Sequence, residues 1–366
     1  MTLAAPTQAT DRRGFTLVEL MLSVSLIALI ALMLVSMTNS TAATWRYTTG
    51  RIEQFRSADA AFESITRRLS QATLNTYWDY FDASGNARTP ANAATFVPKT
   101  YGRQSDLRFI TGKTETLAGT TTPRRPTQCV FFQAPFGFVA DPTGNDPNYT
   151  NFVGLANLLN TWGYYVEFNQ DIRPDFIDKM TNPPAKRYRY RLMELMQPSN
   201  ALTIYGQDTS NQPYNAGKKW FTEGMKPVSP PVPQPYHVLA ENIIALVLQP
   251  KLSKKDEDTT AKKLSKDYAY DSTTTNAVSD INPKNQLPPI VQVTLVAIDE
   301  ASANRLANGA TPPKFDATLD SLFTDTSKFD DDLKTLQTTL VNSKPPVSFR
   351  VFTSNVSIRG AKWSRK

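Results

Sequence analysis

The run from Phe15 to Met37 holds 23 residues and one ionisable side chain, Glu19; the rest is apolar apart from Thr16, Ser23, Ser25 and Ser36. As an α-helix rising about 1.5 Å per residue it extends roughly 35 Å, enough to cross a hydrocarbon core of about 30 Å with some tilt. The length selects one helical crossing. Arg12 and Arg13 precede it, so the positive-inside rule keeps the N-terminus cytoplasmic and sends everything after Met37 to the other side. A carboxylate at the centre of a spanning helix costs roughly 2.5 to 3.5 kcal/mol, and even near the end it calls for a partner or a function.

The neighbouring residues suggest that partner. If the chain is cut between Gly14 and Phe15, the new α-amino group lies one helical turn from Glu19. A second copy packed alongside with a small stagger then sets its amino terminus against this carboxylate, and such a pair is far stronger in low dielectric than in water. The competing reading is an ordinary secretory signal peptide, with Ser40 and Ala42 as small residues before a cut. Its apolar region would be too long, since about 7 to 15 residues are typical, and an acid at its start would have no use.

Gly14-Phe15-Thr16-Leu17-Val18-Glu19-Leu20, after a short basic leader, resembles the class III prepilin leader of type IV pilins and type II secretion pseudopilins. The resemblance implies that Gly14 precedes the cut, that Phe15 becomes an N-methylated terminus and that Glu19 is the assembly acid. It implies as partners a prepilin peptidase/N-methyltransferase, other pilin or pseudopilin subunits and inner-membrane lipid. It covers only the first few dozen residues. Three segments further on, Arg189 to Glu194, His237 to Asn242 and Leu287 to Thr294 with Ala297 to Glu300, resemble the Verru_Chthon cassette protein C family, whose members carry prepilin-type leaders and have no settled activity.

Past the span, Trp45, Ile52, Phe55, Phe62, Ile65 and Leu69 recur at helical spacings and predict an amphipathic continuation to about Leu74. Arg51, Glu53, Arg56, Asp59, Glu63, Arg67 and Arg68 fall on the other face. No proline occurs between residues 7 and 89, and Gly50 is the one break signal. The expected organisation is a leader over 1–14, a membrane half-helix over 15–37, a spine half-helix over 38–74 and an extracytoplasmic head over 75–366. A coiled coil is the alternative for the spine, although its stripe lasts barely four heptads.

In the head, branched and aromatic runs predict strands at 107–111, 129–133, 164–168, 188–196, 243–249, 290–298 and 347–356. Helical pieces are expected over 152–160, 300–308, 318–324 and 331–341. Residues 207–236 carry six prolines and read as an exposed loop; residues 251–286 are polar and read as solvated and mobile. The fold class is therefore α+β and type IV pilin-like, with a long N-terminal helix packed on a mainly antiparallel β-sheet head with long loops.

The head offers little for chemistry. One cysteine, Cys129, rules out an internal disulfide, and with one histidine, His237, the usual zinc sites are excluded. No phosphate-cradling or Rossmann glycine set is present, and a triad could be built only around His237. Asp141, Asn145, Asp146 and Asn148, and separately Asp330, Asp331 and Asp332, supply oxygens, but their spacing matches no EF-hand and suits turns and caps better. Strand alternation in Lys186 to Leu192 places Arg187, Arg189 and Arg191 on one face and Tyr188, Tyr190 and Leu192 on the other. That face could meet phosphates, or could be solvated arginines over inward aromatics.

The charge of +7 falls to +6 once Asp11, Arg12 and Arg13, together +1, leave with the leader. That is a weak pull toward acidic partners or membrane surfaces, and nucleic acid is not an expected partner. The expected protein is a structural subunit with no catalytic residue, metal or cofactor. The alternative is a single-pass anchored binding protein, for instance a DNA-uptake minor pilin.

Overall fold

A computed structural model describes residues 16–89, 92–119, 123–141, 149–171, 173–207, 213–226, 235–254, 256, 263–274 and 282–363. The chain forms two compact units, Met1–Glu53 and Gln54–Lys366. Helix α1, Leu17–Leu69, contributes to both. Gly50 does not interrupt it, and it stops short of the expected Leu74.

In the first unit the helix is bare on every side. From Leu17 to Met37 no large apolar side chain is less than 47 % exposed. A helix that is apolar all round belongs in lipid or among neighbouring helices. The apolar span runs from Leu17 to Thr49 by length and composition.

The second unit carries the sheets. Its strands are β1 Tyr77–Phe81, β2 Thr100–Gln104, β3 Ile110–Lys113, β4 Gln128–Pro135, β5 Leu159–Gln170, β6 Tyr188–Gln197, β7 Tyr236–Glu241, β8 Ile243–Lys251, β9 Tyr270–Asp271, β10 Ile290–Ile298 and β11 Phe349–Ser357. They form a six-stranded sheet in the order β7-β6-β5-β4-β3-β9, a three-stranded sheet β11-β10-β8 and a separate ribbon β1-β2. Every pairing between these strands is antiparallel. Asn242 takes the chain from one large sheet to the other at φ 60°, a left-handed conformation that asparagine tolerates better than most residues. Its amide donates to Glu300 Oε2 at 2.8 Å, which fixes the corner.

The long strands alternate between two cores. Trp162, Tyr164, Val166 and Phe168 of β5 join the buried faces of β8 and β10 in the larger one. Tyr165, with Phe131 of β4 and Met193 and Leu195 of β6, faces the smaller one, which Ile204, Trp220, Phe221 and Met225 close. The proline-rich region is thus not a bare exposed loop: its described part, 213–226, puts Trp220 and Phe221 at 0 % exposure. Two large aromatic side chains in a short helix, Lys219–Thr222, outweigh the proline content around it. Likewise Leu264, Tyr268 and Tyr270 in the stretch expected to be solvated are buried, and β9 pairs with β3. Sparse apolar groups suffice there because each one is placed in the core.

The helix expected over 152–160 is replaced. Only Tyr149–Phe152 is helical, and β5 starts at Leu159. Asn160, buried within it, donates to Phe138 O at 2.7 Å and to Gln197 O at 3.2 Å, tying the strand's first residues into the sheet region. Residues 107–109 precede β3 without joining it, with Arg108 N donating to the Gln133 side chain at 3.0 Å. The expected C-terminal helices are present as Glu300–Leu306, Asp316–Ser321 and Phe329–Asn342.

Within the second unit, α1 buries Ala58, Ala61, Ile65 and Leu69, with Ala72 just beyond its end. The stripe is rotated from the expected one. Phe55 and Phe62 sit at its margin while alanines take the tightest positions, because a helix approaches a sheet most closely over small side chains. Arg68, expected to point away, turns inward. It pairs with Glu194 of β6, donates to Tyr164 Oη at 3.2 Å and lies 4.2 Å from the centre of the Trp162 ring.

Glu194 is 2 % exposed, so removing its main cation strands a buried charge. Arg68→Ala is expected to destabilise the head by about 3 kcal/mol, at the lower end for a buried pair because His237 Nε2 remains 3.2 Å from Glu194 Oε1. The exposed neighbour Arg67→Ala serves as control, with a change within about 0.5 kcal/mol. Equal urea midpoints for the two variants would show that the inward pair does not hold the spine.

Candidate functional site

Glu19 closes the N-terminal end of α1 on itself. Thr16 O accepts from Leu20 N at 3.2 Å, which makes Thr16 the N-cap. Thr16 N and Oγ1 donate to Glu19 Oε2 at 3.0 and 2.9 Å, and Glu19 N donates to Thr16 Oγ1 at 3.3 Å. This is a reciprocal capping box, in which residues three apart satisfy each other's amides where the helix has no carbonyl to offer. A carboxylate at this end also favours the helix dipole. Both contacts engage Oε2, and a carboxylate has about four acceptor positions, so Oε1 can still accept from another molecule. Gly14 and Phe15, the expected cleavage pair, lie outside the described residues.

Polar side chains further along the apolar stretch turn back onto the helix. Ser23 Oγ donates to Glu19 O at 2.7 Å, Ser25 Oγ to Leu22 O at 2.8 Å and Thr38 Oγ1 to Leu34 O at 2.7 Å. Hydroxyls satisfied in this way carry a small burden into lipid. Glu19 is the one ionisable group between Arg13 and Arg46. At the far end Trp45 is 73 % and Tyr47 46 % exposed, beside Arg46, as side chains at a membrane–water boundary are.

The head candidates read as structure. His237 stands on β7, an edge strand, and its imidazole is half exposed beside Glu194. Alternation in β6 is as expected, with Tyr190 and Leu192 inward, yet the opposite face is covered too. Arg189 is 9 % and Arg191 1 % exposed, which overturns both the phosphate-facing and the solvated readings for these two. Arg189 Nη1 donates to Glu300 Oε2 at 2.6 Å and to Glu241 Oε2 at 3.1 Å. Burial opposes ionisation of Glu300, but hydrogen bonds from Arg189, Asn242 and Asn304 win and hold its carboxyl below the usual range. Burial lowers the Arg191 pKa and raises that of Glu167. Arg187 alone of the three is exposed.

Cys129 is fully buried, and burial pushes its thiol up to about 12, where it is inert as a nucleophile at neutral pH. Asp330, Asp331 and Asp332 open the helix Phe329–Asn342, and Asp332 Oδ2 accepts from Phe323 N at 2.8 Å. In the other acidic cluster, Asn145, Asp146 and Asn148 lie outside the described residues. Among the described residues no group of three His, Cys, Asp or Glu side chains is placed to hold a metal.

Residues 10–35 match the prokaryotic N-terminal methylation motif. The match spans Gly14, Phe15 and Glu19. With the long apolar helix and the mostly antiparallel head, the motif gives the chain a type IV pilin-like organisation. It marks a prepilin-processed, membrane-anchored, pilin- or pseudopilin-like protein, and points to a structural subunit rather than an enzyme. Neither the curated proteins nor the solved structures gave a match.

Proposed function

We propose that this chain is a minor pilin- or pseudopilin-like subunit of a type IV pilus-like or type II secretion-like apparatus. Prepilin peptidase cuts it between Gly14 and Phe15 and methylates the new Phe15 amine. Until assembly it is stored as a single-pass protein of the inner membrane, with the head on the periplasmic side. The observation that carries this reading is the methylation motif laid over a helix bare on all sides, with one carboxylate at its start. Assembly sets the Phe15 amine of an adjacent subunit against the open Oε1 of Glu19, a stronger partner than the Thr16 cap because it is charged. A head of roughly 290 residues is bulky for dense packing of identical copies, which favours a tip or low-frequency position.

The segments that resemble the Verru_Chthon cassette protein C family fall on β6, β7 and β10, in the sheets of the head. Membership of that family would imply the same prepilin-type leader. The head needs no catalytic role in this reading.

Mass measurement of the protein extracted from envelopes tests the processing directly. The expected chain begins at Phe15 and carries one added methyl group. An intact Met1, or a start beyond the apolar stretch, would overturn the reading.

A further inference from the structure

Strand β11 is an outer strand of the three-stranded sheet. Its register against β10 runs unbroken from Ile290↔Ser357 to Ile298↔Phe349, so it carries no bulge, and it contains neither proline nor lysine. Those are the usual defences of an edge strand against further pairing. The edge strand β7, by contrast, shifts register against β6.

Two hydrogen bonds fix which backbone groups of β11 look outward. Ile358 N donates to Pro289 O at 3.0 Å and Asp299 N to Ser348 O at 3.0 Å, so the even-numbered residues of β11 are those bonded to β10. The odd-numbered ones, Phe349, Val351, Thr353, Asn355 and Ser357, turn both N–H and C=O away from the sheet. Just past each end the edge is closed: Val347 N donates to Leu340 O at 3.1 Å and Arg359 N to Ser70 O at 2.9 Å. Between these closures no outward group has a hydrogen-bond partner among the described residues. Thr353, Asn355 and Ser357 are exposed to solvent.

The charge along this edge has one sign. From Ser343 to Lys366 the sequence holds lysines and arginines and no Asp or Glu. Lys344, Arg350, Arg359 and Lys362 are exposed and form no ion pair among the described residues. The Arg350 guanidinium lies 4.9 Å from the centre of the Phe352 ring, on one face of the strand. A second copy is a poor occupant. Antiparallel self-pairing centred on Thr353 would set Lys344 opposite Lys362 of the copy, like charge against like.

We propose that the outer edge of β11 takes up an extended acidic segment of a partner protein as a further strand of this sheet. Backbone pairing supplies the affinity, and the cations select an acidic strand with Arg350 nearest its middle. The docking is read from the head and holds whether or not the leader is cut, so failure of either reading leaves the other standing.

Fluorescence anisotropy of a labelled peptide with the full chain in a zwitterionic detergent at low salt tests it. The probe is an end-capped peptide of alternating threonine and glutamate, nine residues long like β11. Saturable binding is expected, weakened about tenfold by Arg350→Gln and at least about tenfold when lysine replaces every glutamate of the peptide. N-methylation of the peptide's backbone amides keeps its charge but removes its donors, and is expected to cost at least about tenfold. Thr353→Pro removes one outward N–H and no bond to β10, a placement that edge strands tolerate. It is expected to lose binding while its urea midpoint stays close to that of the parent chain, and the N-methylated peptide makes the same test without altering the fold. Absence of binding, equal affinity for the lysine or N-methylated peptide, or undiminished binding by Arg350→Gln would each overturn the proposal. So would a dimer of the full chain that Thr353→Pro dissolves, since the edge would then belong to a second copy.

Discussion

Gly14→Val is expected to leave the leader attached, while Glu19→Val is cut normally yet fails to enter a filament. Before the scissile bond a glycine gives the backbone room to approach the peptidase closely, and a β-branched side chain removes both space and conformational freedom. Glu19→Val has the opposite balance. It deletes the acceptor of Thr16 N and Oγ1, a loss of about 1 kcal/mol for a cap, but it makes the segment easier to insert in lipid.

Glu19→Gln separates the two duties of this side chain. Glutamine closes a capping box as glutamate does, so the helix start survives, but no charge remains to meet an amine. If charge drives assembly, Glu19→Gln fails as badly as Glu19→Val. Loss of a pair worth about 3 kcal/mol reduces incorporation by at least about a hundredfold. Masses of membrane-extracted chains report the cut, and co-purification with pilin partners reports assembly. Mature Gly14→Val protein, or assembled Glu19→Gln protein, would contradict the proposed roles.

What was legible in the sequence follows the range of the forces involved. The apolar helix was legible because insertion depends on a contiguous run, and β10 matched its expected bounds because a branched stretch buried on both faces leaves a continuous signal. The Arg189 and Arg191 face was misjudged for the complementary reason. Alternation is local, whereas the acids that cover Arg189 come from Glu241 and Glu300, far along the chain. The β1-β2 ribbon and β9 gave no clear period, being short or mixed in polarity. Trp220 and Phe221 were hidden among prolines, and only the second core reveals their place. At the membrane end, Thr16 three residues before Glu19 is a readable capping signal.

Gly163→Val is expected to prevent the head from folding to a stable state, and Gly163→Ala to destabilise it by about 3 kcal/mol or more. Glycine inside a buried strand is ordinarily a weakness, but here it stands directly across from Phe131, whose ring fills the missing side chain's place. A Cβ on residue 163 would lie 2.3 Å from Phe131 Cδ1 and 2.5 Å from Cε1. The ring has no easy retreat, since it stacks on Phe221 at 4.1 Å and meets Trp220 edge-on at 6.3 Å, with all three fully buried. Phe131→Leu trims that ring and leaves a modest cavity of its own. Combined with Gly163→Ala, it is expected to cost clearly less than the two single changes added together, because the alanine methyl then occupies the vacated space. Urea unfolding of the four chains measures that coupling. An additive cycle would mean that the strand shifts to accommodate the methyl and that Phe131 does not fix the glycine.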